Sequence, residues 1–115
     1  MNSIVCIKRV PDSEARIRVA ADGRSIDPSG VKFDMNEFDK YALEDAIQRR
    51  EVAGEGLITV ITVGGTDARE TLRQALAMGA DAVALADTGR ASAAAVVEAN
   101  LRKSRLFTYS DLTVL

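Results

Sequence analysis

The chain has 115 residues, 47% of them hydrophobic and 28% charged, and its 15 basic and 17 acidic side chains give a net charge of −2. This is the profile of one compact domain, 1–115, whose longest apolar runs (Ala82–Ala86 and Ala93–Val97) are too short for a transmembrane helix or a secretory signal. With no histidine, one cysteine and no basic cluster, imidazole catalysis, a His-containing zinc site, a disulfide framework and a nucleic-acid surface all drop out. The expectation is an intracellular, cytoplasmic protein without membrane insertion, whose only possible metal site would be built from carboxylates.

Ser3-Ile4-Val5-Cys6-Ile7 is apolar on consecutive residues and rich in β-branched side chains, as a strand covered on both faces would be, and it stops at Lys8-Arg9-Val10-Pro11. Ala15, Ile17 and Val19 then alternate with Arg16 and Arg18, Asp22-Gly23 supplies a tight turn, and Ile26 follows on the return. That pattern predicts a half-exposed hairpin, an excursion from the main fold. From Asn36 the period becomes helical: Phe38, Ala42, Leu43, Ala46, Ile47 and Ala53 share one face, with Asn36 placed as N-cap and Glu37 and Asp39 at the positive helix start.

Gly54 and Gly56 close that helix, and Leu57–Val63 reads as a central strand ending at Gly64-Gly65. Asp67 followed by Glu70 has the spacing of a capping box, and Ala68, Leu72, Ala75 and Leu76 form the buried face of a second helix that runs to Gly79. Ala82–Ala86 is predicted as a third strand, 91–102 as an alanine-rich helix, and 112–115 as the start of a fourth strand. Strands alternating with helices imply right-handed crossovers and a parallel sheet with flanking helices, a Rossmann-like α/β fold. In such sheets a ligand sits outside the carboxyl ends of the strands, where strand order reverses beside the first strand. Attention falls on Cys6–Asp12 and Val63–Thr66.

Each candidate there has a plainer explanation. Gly64-Gly65-Thr66-Asp67 brings flexible backbone to a helix start, as phosphate sites do, yet it lacks the spacing of the known glycine-rich loops, and Asp67 would repel an anion. Asn36-Glu37-Phe38-Asp39 offers an amide, a ring and free helix N–H groups, but capping plus one core phenylalanine accounts for it as well. Lys8 and Arg9 fit a phosphate counter-charge or a solvated strand end. Cys6 reads as a small packing residue, because reactive thiols prefer exposed electropositive sites.

Three runs, IVCIKRVPDSEARIRV at 4–19, GVKFDMNEFDKYALEDA at 30–46 and ETLRQALAMGADAVALAD at 70–87, resemble the amino-terminal half of the electron transfer flavoprotein β subunit. The resemblance implies an adenine nucleotide alpha hydrolase-like version of the Rossmann-like sheet and a heterodimer with an α subunit that carries most of a redox-active FAD site. It further implies AMP in this subunit, or a second FAD in the electron-bifurcating type, with electrons passing from dehydrogenases toward a quinone oxidoreductase. The positions that match the family's nucleotide contacts are Cys6, Asn36, Glu37, Phe38, Asp39 and Val63. Phe38 also matches an aromatic that approaches the flavin, and Ser13 stands where some members place a tyrosine. No catalytic acid, base or nucleophile is implied.

Two departures stand out. Glu37 replaces the family's usual proline, removing a rigid first helical residue and adding a carboxylate near a phosphate-binding region. Family members are also much longer, and their glycine-rich DTGQ-type phosphate loop follows the strand that here would end at Leu115, so the sheet is expected to be incomplete at its carboxyl end and the chain to be a fragment or a degenerate paralogue. A stand-alone adenine-nucleotide-binding or stress-type regulatory module and a non-functional truncation are the competing readings.

Overall fold

In a computed structural model of the chain, residues 1–86 are described. β1 (Ser3–Cys6), β4 (Ile58–Val63) and β5 (Ala82–Ala86) form a parallel sheet in the order β1-β4-β5, and the short strands β2 (Arg9–Pro11) and β3 (Phe33–Met35) form a separate antiparallel pair. Two helices, α1 (Glu37–Ala53) and α2 (Arg69–Met78), make the crossovers. The Rossmann-like α/β reading holds for this part of the chain. The helix expected at 91–102 and the strand expected at 112–115 lie outside the described residues.

Side chains alternate in direction along a strand, and in-register partners in a parallel pair point the same way. Val5 pairs with Val60 and Val60 with Val83, so these three share a face, which continues through Ile58 and Leu85. Right-handed crossovers running in one direction across the sheet place both helices on that same face. Leu43, Ala46 and Ile47 of α1 and Leu72 and Ala75 of α2 close over it, with Met35 and Ile7 sealing the end. Leu43, Ile58 and Val60 are fully buried.

The opposite face carries Ile4, Cys6, Ile61, Val63, Ala84 and Ala86. Ile61, Ala84 and Ala86 are buried there, whereas Val63 and Cys6 are exposed. The expectation of a first strand covered on both faces is therefore corrected: its buried residues are Val5 and Ile7, while Ile4 is half-buried and Cys6 is not a packing residue. Both described helices lie on the other side, for the handedness reason just given.

α1 buries a narrow stripe, Leu43, Ala46 and Ile47, that covers about 100° of its circumference. Phe38, Ala42 and Ala53, expected on the buried face, are exposed, Phe38 by 78%. Gly54 adopts φ 74°, and its N–H turns back to the carbonyls of Arg50 and Glu51, ending the helix as a left-handed cap does. Leu76, expected on the buried face of α2, is also exposed.

Two local readings are revised and one is kept. The Asp67/Glu70 capping box does not form; a 3-10 turn, Thr66–Ala68, leads into α2 without a side-chain cap. The hairpin excursion is present: Val19 bridges Ile26 antiparallel, the Ala20 N–H donates to the Ser25 carbonyl and the Asp27 N–H to the Arg18 carbonyl, each at 2.8 Å, and Asp22 holds the tip by accepting from the Arg24 and Ser25 N–H groups and the Ser25 hydroxyl. The β2–β3 pair is new. Its signal was the alternation of Lys32 and Asp34 with Phe33 and Met35, a period-two pattern next to a helix start.

At the amino end of the sheet, Asp81 accepts from both Arg50 Nη1 at 2.7 Å and the Ile58 N–H at 2.8 Å, joining the end of α1 to the starts of β4 and β5. No helix among the described residues is long and apolar enough to cross a membrane.

Candidate functional site

The carboxyl ends of β1 and β4 lie side by side, with Cys6 opposite Ile61 and the Ile7 N–H continuing the ladder to the Ile61 carbonyl at 2.9 Å. The buried Thr62 hydroxyl donates to the Ile7 carbonyl at 2.8 Å, so the strand exit is held by side chain as well as backbone. Cys6 and Val63 alternate onto the same face of the sheet and are both exposed. The two side chains give a small exposed apolar surface where the chain leaves both strands.

α1 runs antiparallel to the strands, so its positive end arrives at this edge. Two contacts fix it there. The Asn36 N–H donates to the Lys8 carbonyl at 2.9 Å, and Asp39 Oδ2 accepts from the Lys8 N–H at 2.8 Å, a bond between residues 31 positions apart. Asn36 occupies the N-cap position, but its side chain makes no capping hydrogen bond; its carbonyl accepts from the N–H groups of Asp39 and Lys40. The sequence expectation of an Asn36 side-chain cap is corrected accordingly. The amide is left for another use.

The structure therefore brings Cys6 and Val63 together on one face and Asn36 and Asp39 together around Lys8, at the same end of the sheet. Glu37 and Phe38 are exposed on the first turn of α1. Arg9 is neither a solvated strand end nor an open counter-charge: its guanidinium lies 3.7 Å from the centroid of the Phe33 ring and 3.2 Å from Asp67 Oδ2. This pair joins the β2–β3 flap to the turn after β4 and neutralises the Asp67 carboxylate. Sequence reasoning missed it, because no local spacing links residues 9, 33 and 67. Behind the flap, Lys40 Nζ bonds Asp34 Oδ2 at 2.7 Å and holds the Asp34 carboxyl below its ordinary pKa.

Gly64 and Gly65 form an ordinary turn, with the Gly64 N–H bonded to the Ala86 carbonyl at 3.0 Å, and one of the candidate donors of a phosphate cradle is thereby used. Among the described residues no group of three acidic or cysteine side chains is placed to hold a metal ion. The arrangement offers an apolar floor, a side-chain amide and helix-start N–H groups: the means to bind a ring system with an attached anion.

The family model described as "Electron transfer flavoprotein domain" matches residues 24–103. The chain belongs to the electron transfer flavoprotein family. Among its relatives, "Protein FixA" of Bradyrhizobium diazoefficiens is 50% identical over 88 residues, which is 76% of this chain and 30% of that protein. "Electron transfer flavoprotein subunit beta" of Bacillus subtilis is 46% identical over 85 residues, 74% of this chain and 32% of that protein. "Electron transfer flavoprotein subunit beta, mitochondrial" of Oryza sativa subsp. indica is 40% identical over 81 residues, 70% and 32% respectively. The matched stretch thus spans about a third of the length of these electron transfer flavoprotein relatives.

Proposed function

We propose that this chain is the amino-terminal, nucleotide-binding part of a β-type electron transfer flavoprotein subunit, a carrier component without catalytic residues of its own. The observation that carries the reading is the placement of Cys6, Val63, Asn36 and the start of α1 at the carboxyl ends of β1 and β4, in a chain whose similarity to β subunits extends over about three quarters of its length. Cys6 and Val63 form the floor for an adenine ring. Asn36 supplies an amide free of capping duty, and the first turn of α1 supplies N–H groups to the ribose or phosphate side. Asp39 acts as a positioning residue, since its carboxylate is bonded to the Lys8 N–H and holds the helix start against the strand exit. Glu37 adds negative charge at that start and weakens the site for an anion.

The bound nucleotide is AMP, or a second FAD in a bifurcating complex, and a further FAD is shared with an α-type subunit. Flavin, when bound, supplies one- and two-electron chemistry that no side chain of this protein provides. Phe38, 78% exposed, presents an aromatic face toward that partner and its flavin. In the whole assembly, electrons pass from dehydrogenases to a quinone oxidoreductase, and the assembly works in the cytoplasm.

Complementation tests the reading. This chain would be co-expressed with the remaining carboxyl-terminal part of the Bacillus subtilis β subunit and an α-type subunit, with intact β subunit as the control. A purified complex that contains the chain and absorbs as a flavoprotein is the expected result. Flavin retained only with the intact β subunit would overturn the proposal.

A further inference from the structure

On the far side of the sheet from β1, α2 packs over β5. Between them runs a groove of about 280 Å³ lined by Arg69, Leu72, Arg73, Val83 and Leu85. Its floor is apolar: Leu72 is buried, and Val83 and Leu85, two residues apart, point to the α2 side and are only half-buried. Its rim is cationic. Arg69 and Arg73 stand one helical turn apart, so their guanidinium groups share a face. β5 pairs with β4 on one side, and among the described residues no strand pairs with its other edge.

We propose that this edge docks an extended acidic segment of a partner protein, which adds as a strand beside β5. Added-strand recognition takes affinity from main-chain hydrogen bonds and specificity from pockets for alternate side chains. A strand about 4.8 Å beyond β5 would set its inward side chains in line with Val83 and Leu85, beneath α2. The groove lies just below the roughly 300–1,000 Å³ of pockets for small molecules, which suits a few side chains better than a nucleotide. Charge selects the partner's chemistry. Arg73 is engaged by Glu70 at 3.1 Å, but both side chains are about three-quarters exposed, so the pair is weak and exchanges readily for an incoming carboxylate. Two forked guanidinium groups suit carboxylates at alternate positions of the added strand. Two cations beside an acidic Glu70 do not make a nucleic-acid surface.

The test is a titration of the 15N-labelled full chain with a synthetic peptide of alternating valine and glutamate, and with the same peptide carrying lysine for glutamate. The glutamate peptide is expected to move the amides of Val83–Ala86 and Arg69–Arg73, and the lysine peptide to leave them in place. R69Q/R73Q should weaken the glutamate peptide by on the order of tenfold, the combined value of two exposed ion pairs, and R69E/R73E should reverse the preference. Both substitutions fall on the exposed side of α2, and an unchanged circular dichroism spectrum checks that the fold is kept. No movement with the glutamate peptide, movement mapped elsewhere, or an unchanged preference in R69E/R73E would overturn the proposal.

Discussion

At Asn36 the residue type and its use come apart. Asparagine before an acidic helix start is a capping signal, and the backbone there does begin the helix, yet the side chain makes no capping bond because Asp39 and the strand exit at Lys8 already fix the first turn. A true side-chain cap is worth about 0.5–2 kcal/mol. Asn36→Ala is therefore expected to change the unfolding free energy by less than about 0.5 kcal/mol in urea melts, as a surface substitution does. A larger loss would restore the capping role. Asp22 is the opposite case, a side chain whose local pattern could be read directly. Asp-Gly marks a turn, and Asp22 accepts from the Ser25 N–H, the Arg24 N–H and the Ser25 hydroxyl, which lower its pKa from 3.8 to about 2. Because the folded pKa is depressed, the turn's contribution is complete above the unfolded value and is lost as the pH falls through about 2. The amide shifts of Arg24 and Ser25 should accordingly inflect at about pH 2, not at the ordinary 3.8. Cys6 was misread for a different reason: apolar neighbours in sequence do not reveal which face of a strand its helices will cover.

The elements with strong periodicity were legible, and those built from three residues were not. The buried side of α1 follows its helical spacing through Leu43, Ala46 and Ile47, whereas Phe38 and Ala53 lie about 130° and about 70° around the helix from the middle of that stripe and are exposed. Apolar spacing allows a broad face. The layer opposite sets how narrow the buried stripe is. Leu43→Ala is expected to cost about 2–5 kcal/mol, because a fully buried leucine leaves a cavity. Phe38→Ala should stay within about 0.5 kcal/mol, since the ring is exposed and little packing is lost. Parallel chemical-denaturation curves decide the matter, and an equal cost at the two positions would contradict the placement of the first turn. β2 and β3 show the limit of local pattern. Their ladder pairs Arg9 with Met35 and Pro11 with Phe33 across more than twenty intervening residues, and Arg9 completes it through Phe33 and Asp67. Pro11 looked like the end of a strand, but it is tolerated in a short strand at an edge.

Across the whole molecule, handedness accounts for most of what positions the site. Two right-handed crossovers in one direction put α1 and α2 on one face, bring the start of α1 to the carboxyl ends of β1 and β4, and leave Cys6 and Val63 exposed on the other face at the same edge. That geometry was readable from the alternation of strands and helices alone. Which side chains meet at that edge was not, since the Lys8–Asp39 and Arg9–Asp67 contacts join residues far apart in sequence. The central claim is that this edge of the sheet receives an adenine nucleotide. The most direct measurement is a nuclear magnetic resonance titration of the 15N-labelled chain with AMP into the millimolar range, where weak binding still moves amide resonances. The account predicts shifts at Cys6, at Asn36, Glu37, Phe38 and Asp39, and at Val63, with smaller shifts in Asn36→Ala. An unmoved spectrum, or shifts confined to Arg69, Arg73 and the outer edge of β5, would contradict it.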